Sequence, residues 1–500
     1  MKLCLRRRVP WLLGALVVAG CPSDDASSGD TTTTGTADST GGDTDPAAGG
    51  ELLGCPGGCV MLLAAQTLDD RVEVFVPDDP DTAYRGAISI DLEPNACEGC
   101  GPGDNGDDRL DEPFGLARAG GFLHVLAGHY PTRQEGSLIA FPLSFFEGYA
   151  VESIVPVDDY FASPQFLDPV VGRSLGQLEP IFLLSHASGR LVVGVFNNDL
   201  FATEDTWTQP GRLLVIDPAD PAGEVGEVTL EGLDNGPCWG ASQVIDLGGG
   251  ILAVACDGNE GVAVLDGSNL ATGTVAEAAA TLGTGAFCPI PGAMAGKRVR
   301  YLASDGAAGV LVGEGPTPLD LNASARLWHL GVDCGLLGNV SLSDMGSAGD
   351  WQLGEIVRLP AGVPTWLVAA GSAAPAGLRG VFVAHEGSGA LELCPAPIAG
   401  FEAAWDDGDG GVLEPFALAV TSDGTHLAVG AGPFIADPAG VGRGKVLWAS
   451  LSGADPCALS ASVVDLTDGQ SGHAPLPSAD DPLTFRRGPN VVVIQELPGA

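Results

Sequence analysis

One stretch of this chain occurs twice. Residues 104–117 (DNGDDRLDEPFGLA) match residues 406–419 (DDGDGGVLEPFALA) at 8 of 14 positions. The match runs on as LHVLAG at 123–128 against LAVGAG at 427–432, then as GSLIAFPLS at 136–144 against GKVLWASLS at 444–452. Each copy reads as three short β-like runs separated by Gly, Asp and Pro turns, and self-similarity at long range marks a repeat array. Weaker copies open at Glu179-Pro180, with RLVVGVF at 190–196 and GRLLVID at 211–217, and at Gly236-Pro237, with ILAVAC at 251–256 and GVAVLD at 261–266. Pro237 and Pro415 stand 178 residues apart, three steps of about 59, which predicts two further units near 296 and 356. RVRYLAS at 298–304 and GEIVRLP at 354–360 are the strand-like runs there.

A first unit is implied by VMLLAAQTLDDRVEVFV at 60–76, which aligns with the second and third strands of the unit at 251–265 and lacks a first strand. NVVVIQEL at 490–497 can supply it, placing both chain ends in one sheet and leaving no open strand edge. The expected fold is all-β, with no sustained helical periodicity: one propeller of seven four-stranded blades over residues 51–500. Six or eight blades are the alternative counts. Hydrophobic residues make up 45% of the chain, enough for a large core, and aromatics only 6%, so that core is built mainly from Val, Leu, Ile and Ala. The repeat grammar, a Pro-led inner strand followed by Gly-x-x-Leu-x-Val, resembles the seven-bladed propellers of the YVTN and lactonase-like group over most of residues 51–500. The resemblance implies architecture and no particular activity.

The amino terminus carries a separate message. Lys2, Arg6, Arg7 and Arg8 precede an apolar run from Val9 to Ala19, too short to span a bilayer, which reads as a secretion signal over residues 1–20. Val18-Ala19-Gly20-Cys21 resembles the lipobox of bacterial lipoproteins, and the resemblance implies cleavage before Cys21 and acylation of its thiol. Residues 22–50 contain only Thr, Asp, Gly, Ser, Ala and Pro and cannot repay the entropy of folding, so residues 21–50 read as a lipidated tether. Position 22 is Pro rather than the Asp that commonly marks inner-membrane retention in that family, which points to an outer-membrane anchor facing the periplasm or the cell surface.

Setting aside Cys4 in the signal and Cys21 leaves ten of the 12 cysteines, an even number in an exported protein, expected as disulfides. Cys238 opens an inner strand and Cys256 ends the next, so an antiparallel turn sets them side by side; Cys288 with Cys334 and Cys394 with Cys457 flank neighbouring units. Cys55, Cys59, Cys97 and Cys100 form C-x3-C and C-x2-C in Gly-rich loops, read as disulfides in an oxidising compartment rather than as a zinc site.

Two short motifs fail on context. Gly172-Arg173-Ser174-Leu175-Gly176 fits the nucleophile elbow, but Glu179-Pro180 follows where a helix is needed. Gly101 to Gly106 fits a phosphate loop, but Asp104, Asp107 and Asp108 repel phosphate. His124 and His129 point to opposite faces of a strand, and His186, His329, His385 and His426 have no metal-ligand spacing, so all six read as structural. The carboxylates are more interesting. Glu112, Glu179 and Glu414 each stand one residue before an inner strand, at one mouth of the expected channel, with Asp107 and Asp409 in matching acidic loops. Such a set could take calcium, and some propellers of the resembled group hold a metal on inner-strand carboxylates; a solvated turn is the simpler reading.

The 42 Asp and 22 Glu against 19 Arg and 3 Lys give a net charge of -42, which excludes nucleic acid as a partner and keeps a monomer soluble in a salty exterior. No nucleophile, base and orienter can be assembled, so the expected function is a lipid-anchored binding or scaffolding module, with a protein or small-molecule ligand and no required cofactor. The alternative is a metal-dependent lactonase-like or esterase-like hydrolase using the channel-mouth carboxylates.

Overall fold

A computed structural model of the chain describes residues 59–66, 71–78, 83–89, 113–127, 135–142, 171–178, 180–196, 210–292, 298–307, 309–315, 325–345, 351–360, 362–372, 378–406, 413–433, 444–467 and 491–497. Its strands are β1 (Cys59–Gln66), β2 (Arg71–Phe75), β3 (Tyr84–Ser89), β4 (Pro113–Ala119), β5 (Phe122–Ala127), β6 (Glu135–Pro142), β7 (Val171–Leu178), β8 (Pro180–Ser185), β9 (Leu191–Val195), β10 (Arg212–Ile216), β11 (Val225–Thr229), β12 (Ala241–Gly248), β13 (Ile251–Cys256) and β14 (Gly261–Asp266). They continue as β15 (Gly285–Pro289), β16 (Arg298–Ser304), β17 (Gly309–Gly315), β18 (Arg326–Gly331), β19 (Leu336–Ser341), β20 (Trp351–Arg358), β21 (Thr365–Ser372), β22 (Arg379–Gly387), β23 (Ala390–Leu393), β24 (Leu413–Val420), β25 (His426–Pro433), β26 (Lys445–Ser452), β27 (Ser460–Asp465) and β28 (Val491–Leu497).

Among the described residues these form seven four-stranded sheets. Six are consecutive meanders, β4 to β7, β8 to β11, β12 to β15, β16 to β19, β20 to β23 and β24 to β27; the seventh has the order β28-β1-β2-β3. β28 pairs antiparallel with β1 from Cys59↔Leu497 to Ala65↔Val491, supplying the strand the first unit lacks. The first strand of each sheet lies against the first strand of the next, β4 on β8, β8 on β12, β12 on β16, β16 on β20, β20 on β24, β24 on β28 and β28 on β4. The chain is an all-β propeller of four-stranded blades.

Burial explains which runs were readable. The second and third strands, such as β9 (LVVGV) and β10 (RLLVI), are buried almost throughout because neighbouring sheets cover both faces. Outer strands such as β11 (VGEVT) and β27 (SASVVD) are buried at one residue or none and carry no continuous apolar run. The core lies between sheets: Val192, Leu213, Val244 and Leu252 pack in one cluster, and Leu367, Val381, Leu418 and Leu447 in another.

Two expectations need correction. The chain contains an α-helix, α1 (Val275–Leu282), between β14 and β15. Thr274 caps it by accepting from the Glu277 amide while the Glu277 carboxylate accepts from the Thr274 amide, and Val275, Ala278, Ala279 and Leu282 form its buried face. It lies on β10 and β11, where a side chain at Gly226 would strike the Val275 carbonyl. Cys238 does not open an inner strand: β12 begins at Ala241, and Cys238 lies in the preceding turn, its amide donating to Leu230 O at 2.9 Å.

Candidate functional site

The inner strands share a feature that apolar periodicity does not announce. Six of the seven carry an extra residue against their second strand, at Phe114 in β4, Ile181 in β8, the Ser242-Gln243 step in β12, Arg300 in β16, the Gly354-Glu355 step in β20 and Phe416 in β24, and β12 carries a second at Leu247. β28 pairs with β1 without a shift. A bulge bends its strand and re-aims one side chain. Phe114, Glu355 and Phe416 are partly exposed while both neighbours of each are buried, and Ile181 is partly exposed beside buried Pro180.

Close approach at the bulges depends on glycine. A side chain at Gly194 of β9 would strike the Ser242 carbonyl of the next inner strand, and one at Gly354 would strike the Phe416 carbonyl. Neither glycine needs an unusual backbone angle; each is there for space. The bulges also use polar side chains to occupy backbone amides of the neighbouring inner strand, which no β-partner covers: Gln243 Oε1 accepts from the Leu302 amide, and Glu355 Oε2 from the Leu418 amide at 2.7 Å.

Around the axis these positions divide in two. Phe416, Phe114 and Ile181 stand on β24, β4 and β8, which follow one another around the ring with β28 between the first two. Gln243, Arg300 and Glu355 occupy the bulges of β12, β16 and β20 on the other side. Phe416, Phe114 and Ile181 are apolar and partly exposed, whereas Gln243 is buried. Burial among the inner strands pushes the Glu355 carboxyl up to about 8, against the opposing effect of the Leu418 amide, so it is largely protonated at neutral pH.

Of the five carboxylates singled out in the sequence, Glu112, Glu179, Asp107 and Asp409 lie outside the described residues. Glu414 does not precede its strand; it is the second residue of β24 and only 2% exposed. Its carboxyl sits against Gly371 of β21, Oε2 has no hydrogen-bond partner, and burial raises it to about 8 despite the nearby Arg379 guanidinium. Among the described residues no group of three metal-ligating side chains includes it. Cys21, Cys55, Cys97 and Cys100 also lie outside the described residues, and Cys59 is the first residue of β1.

Cys238–Cys256, Cys288–Cys334 and Cys394–Cys457 are disulfides with Cα separations of 5.2, 5.0 and 5.1 Å. The first ties the segment before β12 to the end of β13; the other two join neighbouring sheets. Residues 172–176 lie inside strand β7, not at a strand-to-helix turn, which removes the nucleophile elbow. His124 is buried, with Nε2 3.2 Å from Ala119 O, and burial lowers it to about 4. His186 Nε2 lies 3.2 Å from Asp246, and His426 stacks on Trp448. His329 bridges two sheets, Nε2 3.2 Å from Asp305 and Nδ1 3.2 Å from Glu386, with its ring edge-on to Trp366. Burial opposes ionisation of Asp305, but the Ala307 and Gly309 amides and His329 outweigh it and hold the carboxyl below its usual range.

No family model and no curated protein matches this chain. Solved structures are similar to it at low identity. A protein from Lactobacillus plantarum is 12% identical over 88% of this chain and all of its own, with a TM-score of 0.48. The periplasmic gluconolactonase of Pseudomonas aeruginosa is 15% identical over 88% of this chain and 99% of its own, with a TM-score of 0.46. A hypothetical selenium-binding protein from Sulfolobus tokodaii is 10% identical over 84% and 95%, with a TM-score of 0.44.

Proposed function

We propose that this chain is a lipid-anchored propeller of seven blades, held in the bacterial cell envelope through Cys21, that acts as a binding module with its ligand site on the ring axis. The carrying observation is the run of partly exposed apolar residues at the bulges of successive inner strands, Phe416 on β24, Phe114 on β4 and Ile181 on β8. A surface of that kind suits a ligand with an apolar face. Gln243 and Glu355 are each engaged by a backbone amide of the neighbouring inner strand, which leaves the apolar residues to meet a ligand. The charge of -42 supports an exported, repulsion-stabilised body without nucleic-acid partners.

A neutral fluorescent dye, Nile red, tests the axial site. Titration into the mature protein should give saturable binding that weakens at least fivefold in Phe114→Ser/Phe416→Ser. Equal binding by the variant removes the axial site. A panel of esters and lactones, with and without chelator, tests the alternative: chelator-sensitive turnover would establish a hydrolase in its place. Mass spectrometry of the mature amino terminus tests the anchor, which requires a diacylated Cys21 and its loss in Cys21→Ser.

A further inference from the structure

The three disulfides differ in what surrounds the sulfur. Cys238 and Cys256 are both fully buried; Cys288 is buried and Cys334 partly exposed; Cys394 is buried, whereas Cys457 is exposed on the 3-10 turn Pro456–Ala458. The third bridge also has a histidine beside it. His385 Nε2 lies 3.4 Å from Cys457 Sγ, and one ligand atom each from His385, Cys394 and Cys457 lies within 4.8 Å of the others. Two of these residues are fixed on one sheet: His385 pairs with Glu392 in the β22–β23 ladder, and the Cys394 amide donates to Val383 O at 2.9 Å. The third belongs to the next sheet, on a three-residue turn at the surface.

We propose that Cys394, Cys457 and His385 form a redox-gated zinc site. In the oxidised chain the sulfurs are consumed by their bond. A dithiol reductant opens it in two exchanges: its thiolate attacks the accessible Cys457 sulfur and Cys394 leaves as a thiolate. The second thiol of the reductant then displaces Cys457, so the reductant departs as a disulfide and two electrons pass to the cysteines. Zinc replaces the remaining thiol protons and binds two thiolates and the Nε2 lone pair, with water in the fourth position. Tetrahedral zinc at about 2.3 Å from each sulfur needs the sulfurs roughly 3.7 Å apart, a displacement that the exposed turn of Cys457 can supply while Cys394 stays in place.

The sheet junction does not depend on the bridge alone. The Ala461 amide donates to Ala399 O at 2.8 Å, and Ile398, Phe401 and Trp405 pack in one cluster with Leu447. Reduction therefore leaves the junction assembled and the three ligands together.

Graded treatment of the mature protein with dithiothreitol, followed by alkylation and peptide mapping, should open Cys394–Cys457 before Cys288–Cys334 and Cys238–Cys256, with the circular dichroism unchanged. After reductant removal this partly reduced protein should bind one more zinc than the oxidised protein, and cobalt in its place should show sulfur-to-metal charge transfer. His385→Gln should form the same disulfide yet bind that zinc at least tenfold more weakly, and Cys457→Ser should lose it; comparing variants cancels any zinc held by the other cysteines. The proposal is overturned if another described bridge opens first, if partial reduction unfolds the protein, or if zinc binding is the same in the oxidised protein, in His385→Gln or in Cys457→Ser.

Discussion

The sheet β28-β1-β2-β3 and the sheet β20 to β23 have the same four-stranded order but are held in the ring by different means. β20 comes from a continuous meander, bulges at Gly354-Glu355, nests that glycine against Phe416 and sends Glu355 to the Leu418 amide of the next inner strand. β28 is contributed by the far end of the chain, has no bulge, and meets β1 through seven consecutive Cα pairs. Joining sheets within the chain thus relies on local backbone shape and a side-chain bridge, whereas closing the ring relies on strand pairing. The second device concentrates the cost of failure in one strand, because losing it leaves β1 with a bare edge and opens the inner cycle between β24 and β4.

Deleting residues 488–500 is the most direct way to break this comparison. We expect loss of cooperative unfolding or a midpoint lowered by more than about 10 °C, a ring-wide effect rather than terminal fraying. A truncated protein with an unchanged midpoint would show that closure does not need β28. Next in size is Cys238→Ala/Cys256→Ala, which removes a fully buried bridge between residues 18 apart. Loop-closure entropy puts its cost at about 3 kcal/mol, measured by denaturant unfolding without reductant.

Gly354→Ala probes the bulged junction itself. The added methyl meets the Phe416 carbonyl, and overpacking of that kind costs about 2 kcal/mol. An alanine variant as stable as the parent would mean that the bulge accommodates a side chain and that its glycine is incidental.

The smallest expected change at neutral pH concerns Glu414, and its signature is a slope. Burial raises its carboxyl from 4.5 to about 8, so the folded chain holds a proton that the unfolded chain has released between those values. Its contribution is fully present below about pH 4.5 and is lost as pH rises through about 8. Glu355 acts in the same direction. His124, lowered from 6.5 to about 4, acts in the opposite sense: its neutral form is favoured by folding, and that contribution is lost as pH falls from 6.5 towards 4. Glu414→Gln should flatten the decline in stability between pH 5 and 8 while leaving the acid limb set by His124 in place. An unaltered decline would show that Glu414 ionises normally in the folded state.

The repeat arithmetic located the units near 296 and 356, where β16 and β20 stand, and the missing first strand was legible in residues 490–497 because a closed ring permits no unpaired edge. The three described disulfides were legible because their cysteines flank positions that adjoining strands or units bring together. The helix at Val275–Leu282 was not separated from the β pattern, although Thr274 and Glu277 carry a capping-box spacing; eight residues rich in alanine give little periodicity. Glu414 was read either as a channel-mouth metal ligand or as a solvated turn residue before its strand, and only the neighbouring sheet makes it a buried acid within the strand.

What the sequence determined by itself is therefore what repeats along one dimension: the strand-rich units, their order, the supply of a last strand from the far end, and the pairing of cysteines at unit boundaries. What only the tertiary structure decided is what depends on contact between units. Those are the inner-strand bulges, the suppressed ionisation of Glu355 and Glu414, and the meeting of His385 with Cys394 and Cys457. The reason is physical. Hydrophobic alternation reports how one strand is covered, but desolvation and side-chain encounter are set by neighbours tens of residues away, and no local pattern encodes them.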